Sequence, residues 1–173
     1  MQRQSWPTCW LMTDERLGDA LGGAIARAAA AGAGVIVRHH QSSVGVRREI
    51  AREVLASGAV LGLSRDTRLA AELGAAFVHN PIGERSALPF SLSVHDAAEA
   101  RDAATRHPAF VFVSPLYDTR SHPCAPVLGE EEAARLAALA ECPAYALGGI
   151  TRSRGERLIA RGWAGWAAID AWT

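Results

Sequence analysis

Apolar and polar positions along this chain segregate into short blocks. Apolar runs of strand length lie at residues 9–13, 34–38, 60–64, 75–79, 90–95, 110–114, 144–148 and 165–170, bounded by Gly, Pro, Ser and Asp. Between most of them the pattern turns helical, at 14–30, 46–56, 67–73, 96–106, 130–140 and 152–160. In the first of these, Leu17, Leu21 and Ile25 fall four apart, which puts them on one helix face. Strands that alternate with helices pair in parallel through right-handed crossovers. Eight such units close naturally into an α/β barrel of the (β/α)8 TIM type, whereas an open doubly wound sheet more often uses five or six strands. The sequence ends at Thr173, directly after the eighth run, so the barrel is expected to lack its last helix.

Composition fits a single domain over residues 1–173. With 49% hydrophobic residues in 173, the chain can bury a substantial core. Eighteen acidic residues balance eighteen basic ones, which advertises neither a nucleic-acid partner nor an anionic membrane. The apolar runs are far short of the roughly 20 residues a membrane span needs. Residues 2–7 are polar, with no apolar stretch after a basic start, and Cys9, Cys124 and Cys142 are odd in number and far apart. Both features predict a reduced, cytoplasmic protein. Trp163, Trp166 and Trp172 gather near the end of the chain, where an exposed aromatic patch predicts a subunit contact and hence a homodimer.

The most informative stretch runs over 110–129, FVFVSPLYDTRSHPCAPVLG, where a strand-like run opens into a loop of hydroxyl, cationic and proline residues. Thr119, Arg120, Ser121 and His122 follow one another there, and such a loop can grip a phosphate. A parallel barrel builds its site at the C-terminal ends of its strands, and those ends are polar in this chain. Asp14, Asp66 and Thr151 read equally well as helix caps. Arg38 differs: an arginine ending the run GVIV has little reason to face a barrel mouth unless an anion or carboxylate meets it. His39 and His40 are adjacent and face opposite ways on an extended chain, which argues against a shared metal. Gly148 and Gly149, before a helix that starts near Arg152, let backbone N–H groups approach an oxyanion.

These residues carry a resemblance. LMTDERL at the first strand, VIVRHH at the second, SVHDAAEA at the fifth, SPLYDTRSHPCAPVLG at the sixth and LGGIT at the seventh are similar to the thiamine phosphate synthase and thiazole tautomerase superfamily. The sixth-strand block is the most specific piece. The resemblance implies a transferase of thiamine biosynthesis that joins hydroxymethylpyrimidine pyrophosphate to thiazole phosphate and releases pyrophosphate. It implies catalytic roles for Arg38, His122 and Ser93. His40, Thr119 and Ser121 become substrate or phosphate contacts, with Gly148 and Gly149 on the thiazole phosphate; Arg65, which departs from the family pattern, is expected on its own chemistry to meet phosphate oxygens directly. It also implies a magnesium ion.

Departures from the family pattern concern that metal. An Asn-Asp pair whose aspartate binds magnesium usually follows the third strand, and here the residues are Ser64 and Arg65. A second metal aspartate usually follows the fourth strand, where only Glu84 offers a carboxylate. The glutamine expected two positions before Arg38 is Ile36, and lysines expected at two pyrophosphate contacts are His40 and His122. The tautomerase histidine after the sixth strand is Pro115, which moves no proton. Asp170 stands where relatives carry a serine near the thiazole phosphate; a carboxylate there repels that phosphate unless it turns away to pair with an arginine such as Arg152. The synthase reading ranks first, followed by an isomerase acting on the thiazole phosphate and by a non-catalytic barrel binding a thiamine-pathway phosphate.

Overall fold

A computed structural model describes residues 5–82, 87–119 and 126–173. Its strands are β1 (Cys9–Met12), β2 (Gly34–Val37), β3 (Leu61–Asp66), β4 (Phe77–Ile82), β5 (Phe90–Val94), β6 (Phe110–Val113), β7 (Ala144–Leu147) and β8 (Gly165–Ala168). All pair in parallel in chain order, and β8 returns to β1 through Cys9↔Trp166, Trp10↔Ala167 and Leu11↔Ala168. The barrel is therefore closed, and closure leaves no sheet edge unpaired. Around it lie α1 (Leu21–Ala30), α2 (Val44–Ala56), α3 (Thr67–Leu73), α4 (Ala97–Arg106), α5 (Gly129–Leu139) and α6 (Arg152–Ala160). Among the described residues no helix separates β4 from β5, and none is long and apolar enough to cross a membrane.

Each of the eight apolar runs became a strand, but two expectations need correction. The helical pattern over 14–30 is split: a 3-10 segment at Glu15–Ala20 precedes α1, with the break at Gly18 (φ 46°, ψ −128°), a conformation that side chains other than glycine's resist. The expected aromatic surface patch does not form either. Trp166 and Trp172 are each only 2% exposed and stack on one another with ring centroids 5.4 Å apart, while Trp163 is half-buried. Trp172 lies in a 3-10 turn at Asp170–Trp172, and its indole donates to the Trp10 carbonyl at 3.2 Å. These rings are packing for the barrel wall, and the patch gives no ground for a homodimer.

The barrel interior explains where a site can be. At its N-terminal end the rings of Trp6, Trp10, Phe77, Phe110 and Tyr145 mesh; Phe77 and Phe110 are 5.0 Å apart and edge-to-face, and Phe110 and Tyr145 are 5.1 Å apart. Such pairs contribute about 0.5–1.5 kcal/mol each beyond the area they bury. Rings of this size fit only because facing positions carry no side chain. A methyl group at Gly34 would fall on the Trp10 ring, and one at Gly62 on the Phe77 ring. Large residues on some strands and glycine on their neighbours fill this end completely, which leaves space only toward the opposite mouth.

Gly34→Ala is expected to lower unfolding free energy in urea by about 1–3 kcal/mol through overpacking. Gly45→Ala, on α2 with only the Ser43 hydroxyl near its new methyl at 3.7 Å, should leave stability unchanged or raise it slightly. Equal effects of the two would refute the steric account of the floor.

Candidate functional site

The strand ends converge on a cavity of about 800 Å³, within the size range of small-molecule sites. Arg38, His40, Arg65, Ser93, Thr119, Gly148 and Gly149, singled out from the sequence, all line it. Ser121, His122 and Glu84 lie outside the described residues. Asp14, Asp66 and Thr151 are helix caps: their side chains accept from the backbone N–H of Arg16 (3.1 Å), Leu69 (2.9 Å) and Arg154 (3.3 Å). They fix helix starts at the rim.

Arg38 leaves β2 half-buried in the wall, with its backbone N–H donating to the Thr13 hydroxyl at 3.0 Å. Among the described residues its guanidinium has no hydrogen bond or ion pair. Burial lowers its pKa, against the pull of Asp14 and Glu15. Arg65 sits at the end of β3, where the register with β4 shifts between Ser64↔His79 and Asp66↔Ile82. Both Arg65 (φ 69°) and Asn80 (φ 47°) are left-handed inside that shift. Backbones of this kind concentrate where a side chain must be aimed. Arg47 on α2 underpins the strand end: its guanidinium donates to the Ser64 carbonyl and lies 3.7 Å from the Asp66 carboxylate.

The histidines divide as their adjacency requires. His39 Nδ1 lies 2.9 Å from the Thr13 hydroxyl and is buried, while His40 Nε2 meets the Ser64 hydroxyl at 3.0 Å in the cavity wall. Burial, with Arg65 and Arg38 nearby, pushes His40 down to about 4. His79 lies in the barrel beside Phe112 and bridges two serines, with Nδ1 3.0 Å from Ser91 Oγ and Nε2 3.4 Å from Ser93 Oγ. Burial pushes it down to about 3. Both rings are therefore neutral at pH 7 and act as hydrogen-bonding groups, not as cations. Asn80 completes this cluster: it donates to Ser93 Oγ at 3.0 Å and accepts from the Ser93 N–H at 2.8 Å. Asn80 thereby fixes Ser93 in the cavity wall, with His79 Nε2 also near its hydroxyl.

Gly148 (φ 95°) and Gly149 (φ 63°) are required by their own surroundings. A methyl at Gly148 would strike Pro115, and one at Gly149 the Asp118 carbonyl. The loops after β6 and β7 are thereby in direct contact, and Arg154 locks them, donating to the Gly149 carbonyl at 2.7 Å while lying 4.3 Å over the Tyr117 ring. Asp170 turns away as the sequence suggests, but to Arg16 at 3.0 Å and not to Arg152, whose guanidinium lies over Trp172 at 5.8 Å. Sequence reasoning missed Arg16 and Arg154, and it placed Asn80 at a strand end without a role. Only Asn80 had a local signal, as the polar residue after His79 at a strand end.

A sequence pattern described as thiamine monophosphate synthase matches residues 9–172. The chain belongs to that family. A thiamine-phosphate synthase of Acidithiobacillus ferrooxidans is 28% identical over 138 residues, covering 72% of this chain and 61% of the relative. The chain thus spans about three fifths of that relative's length. In structure, a thiamine phosphate pyrophosphorylase from Pyrococcus furiosus aligns with a TM-score of 0.76 at 19% identity, over 95% of this chain and 86% of that one. One from Bacteroides thetaiotaomicron aligns at 0.66 and 17%, over 95% and 83%. At these identities the two structures speak for the shared barrel alone.

Donor chemistry decides whether the thiamine monophosphate synthase family's magnesium suits this cavity. Magnesium takes oxygen ligands, chiefly carboxylates. Among the described residues no group of three or more His, Cys, Asp or Glu is placed to hold a metal. Arg65 occupies the expected carboxylate position, Asp170 is paired with Arg16, and Asp118 is exposed. The described donors do not fit a divalent ion.

His79 supplies a pH signature. It is neutral when folded down to about pH 3 and titrates near 6.5 when unfolded, so between those values the unfolded chain binds more protons. Stability is full above about pH 6.5 and falls as pH drops toward 3. Urea midpoints measured from pH 7.5 to 4.5 should fall for the wild type and fall less steeply for His79→Gln; parallel curves would remove His79 as a source.

Proposed function

We propose that the cavity performs a thiamine-phosphate-synthase-type transfer in thiamine biosynthesis, joining a pyrimidine carried as its pyrophosphate ester to a thiazole phosphate and releasing pyrophosphate. The observation that carries this reading is the half-buried Arg38 guanidinium, without a hydrogen bond or ion pair among the described residues, in the wall of a cavity of about 800 Å³, in a chain whose family pattern extends over residues 9–172. A departing pyrophosphate gathers negative charge, and a cation already fixed in a poorly hydrated wall stabilises that charge without reorganising. Arg38 supplies this from β2, with Arg65 from β3. Ser93, held by Asn80, offers its hydroxyl on the pyrimidine side. Gly148, Gly149 and the N-terminus of α6 take the thiazole phosphate on the opposite wall. His122 and Ser121, in the loop after β6, are further oxygen contacts in the same reading.

A second reading, a barrel that binds a thiamine-pathway phosphate without turnover, is favoured by Arg65, because a cation in place of the metal carboxylate strengthens anion binding more readily than it promotes departure. The isomerase reading has less support, since its proton-moving position is Pro115 and the cavity's His79 is held neutral by burial.

Purified protein mixed with both substrates, with magnesium or with EDTA, should form thiamine phosphate, followed by its fluorescent oxidation product. Arg38→Ala is expected to cut the rate at least a hundredfold, in line with removal of one transition-state charge partner. No product in either condition at high protein concentration would end the transferase reading and leave the binding one.

A further inference from the structure

The charges that line the cavity are lopsided. Its walls carry Arg16, Arg38, Arg65 and Arg152 against Asp118 and Asp170. Arg16 and Asp170 satisfy each other at 3.0 Å, and Arg152 lies over Trp172. Arg38 and Arg65 remain, and among the described residues neither guanidinium has a hydrogen bond or ion pair. The carboxylates whose field reaches Arg38 are engaged elsewhere. Asp14 accepts from the Arg16 N–H at 3.1 Å, and Glu15 accepts from the Gln41 N–H at 2.8 Å and the Ser42 hydroxyl at 3.4 Å. His40, within the field of both arginines, has a neutral ring bonded to Ser64 and so does not offset their charge.

We propose that this cavity holds an oligo-anion of the pyrophosphate class on guanidinium groups alone, with Arg65 in the place of a metal-binding carboxylate and no divalent ion between protein and phosphate oxygens. The claim deepens the proposed function by naming how the same site meets its anion, but it concerns binding and does not require transfer. A carboxylate recruits a metal and the metal meets the phosphate; an arginine meets the phosphate itself, through planar paired donors suited to its oxygens. The strand end that presents Arg65 is built to stay put. Asp66 caps α3 through the Leu69 N–H at 2.9 Å, and Arg47 grips the Ser64 carbonyl one residue before Arg65. An anion there also relieves Arg38, a half-buried cation whose guanidinium has no hydrogen bond or ion pair among the described residues. Magnesium, by complexing pyrophosphate and lowering its charge, works against such a site.

The test is calorimetric titration of the whole chain with inorganic pyrophosphate, in EDTA and in magnesium. Pyrophosphate should bind in EDTA at least as tightly as in magnesium. In EDTA, Arg65→Asp and Arg38→Ala should each weaken it at least tenfold, and Arg65→Asp should gain a magnesium requirement. Arg65 is exposed, so Arg65→Asp should keep the wild-type melting temperature, which separates a lost ligand from a lost fold. The proposal is overturned if pyrophosphate binds only with magnesium, if it binds in neither condition, or if metal-free binding survives both substitutions. Metal-free, arginine-dependent binding without thiamine phosphate formation would uphold this inference and sink the transferase; product formed only with magnesium, together with magnesium-only binding, would do the reverse.

Discussion

Everything at the mouth of this barrel depends on the aromatic floor beneath it. Trp10, Phe77, Phe110 and Tyr145 fill the interior from the N-terminal end, with Trp6 below, and Gly34 and Gly62 make room for them. An eight-stranded barrel has just enough interior to be filled by side chains. Once one end is packed to crystal-like density, every inward position further along the strands becomes the wall of a blind cavity. The same strand period carries this through: Phe77 belongs to the floor and His79, two residues on, to the polar layer, just as Phe110 and Phe112 precede Ser114. The chemistry therefore sits on residues whose backbone is clamped both by the parallel ladders and by the rings below.

That rigidity allows the cavity to hold charge at a cost. Arg38 is half-buried with no ion pair among the described residues, and burial lowers its pKa against the pull of Asp14 and Glu15. A folded chain retains such a group only when the surrounding packing over-determines it, and here β2 and its Thr13 contact do so. The histidines show the complementary solution. His79 escapes the same penalty by remaining neutral and spending both ring nitrogens on serines. Cations and neutral imidazoles thus share one wall without repelling each other, and Ser93 is oriented by an amide instead of a charge.

Sequence pattern exposed the fold because each strand is a short apolar run bounded by breakers, and the barrel's period puts polar residues at every strand end. The residues it brought together, Arg38 with Arg65 and Ser93 with Gly148, stand at the ends of four different strands, so they meet only because the register of a closed barrel aligns those ends. What remained illegible is long-range or conformational. Leu17, Leu21 and Ile25 share one face, which hid the break that Gly18 introduces. Trp166 and Trp172 looked like surface because composition cannot tell an interface from a wall; their stacking requires the 3-10 turn at Asp170–Trp172. Arg16 meets Asp170 across the β1–β8 seam, a contact that no local spacing announces.

The exchange of a carboxylate for Arg65 changes more than one charge. A carboxylate acts on a phosphate through an intermediary, so its own position tolerates some slack, because a metal ion adjusts its ligand sphere. A guanidinium meets the oxygens directly and needs its plane fixed. The surroundings of Arg65 fix the backbone from which it reaches: the register shift sets its left-handed conformation, Asp66 anchors α3 behind it, and Arg47, buried on α2, holds the preceding carbonyl. Arg47 gains nothing from solvent in that position, and its Nε finds no hydrogen-bond partner among the described residues. A buried arginine with one nitrogen unsatisfied is tolerable where it secures a strand end whose next residue must be aimed. The second arginine is therefore the structural counterpart of the first: Arg47 supplies rigidity from outside the barrel, and Arg65 presents its charge to the cavity.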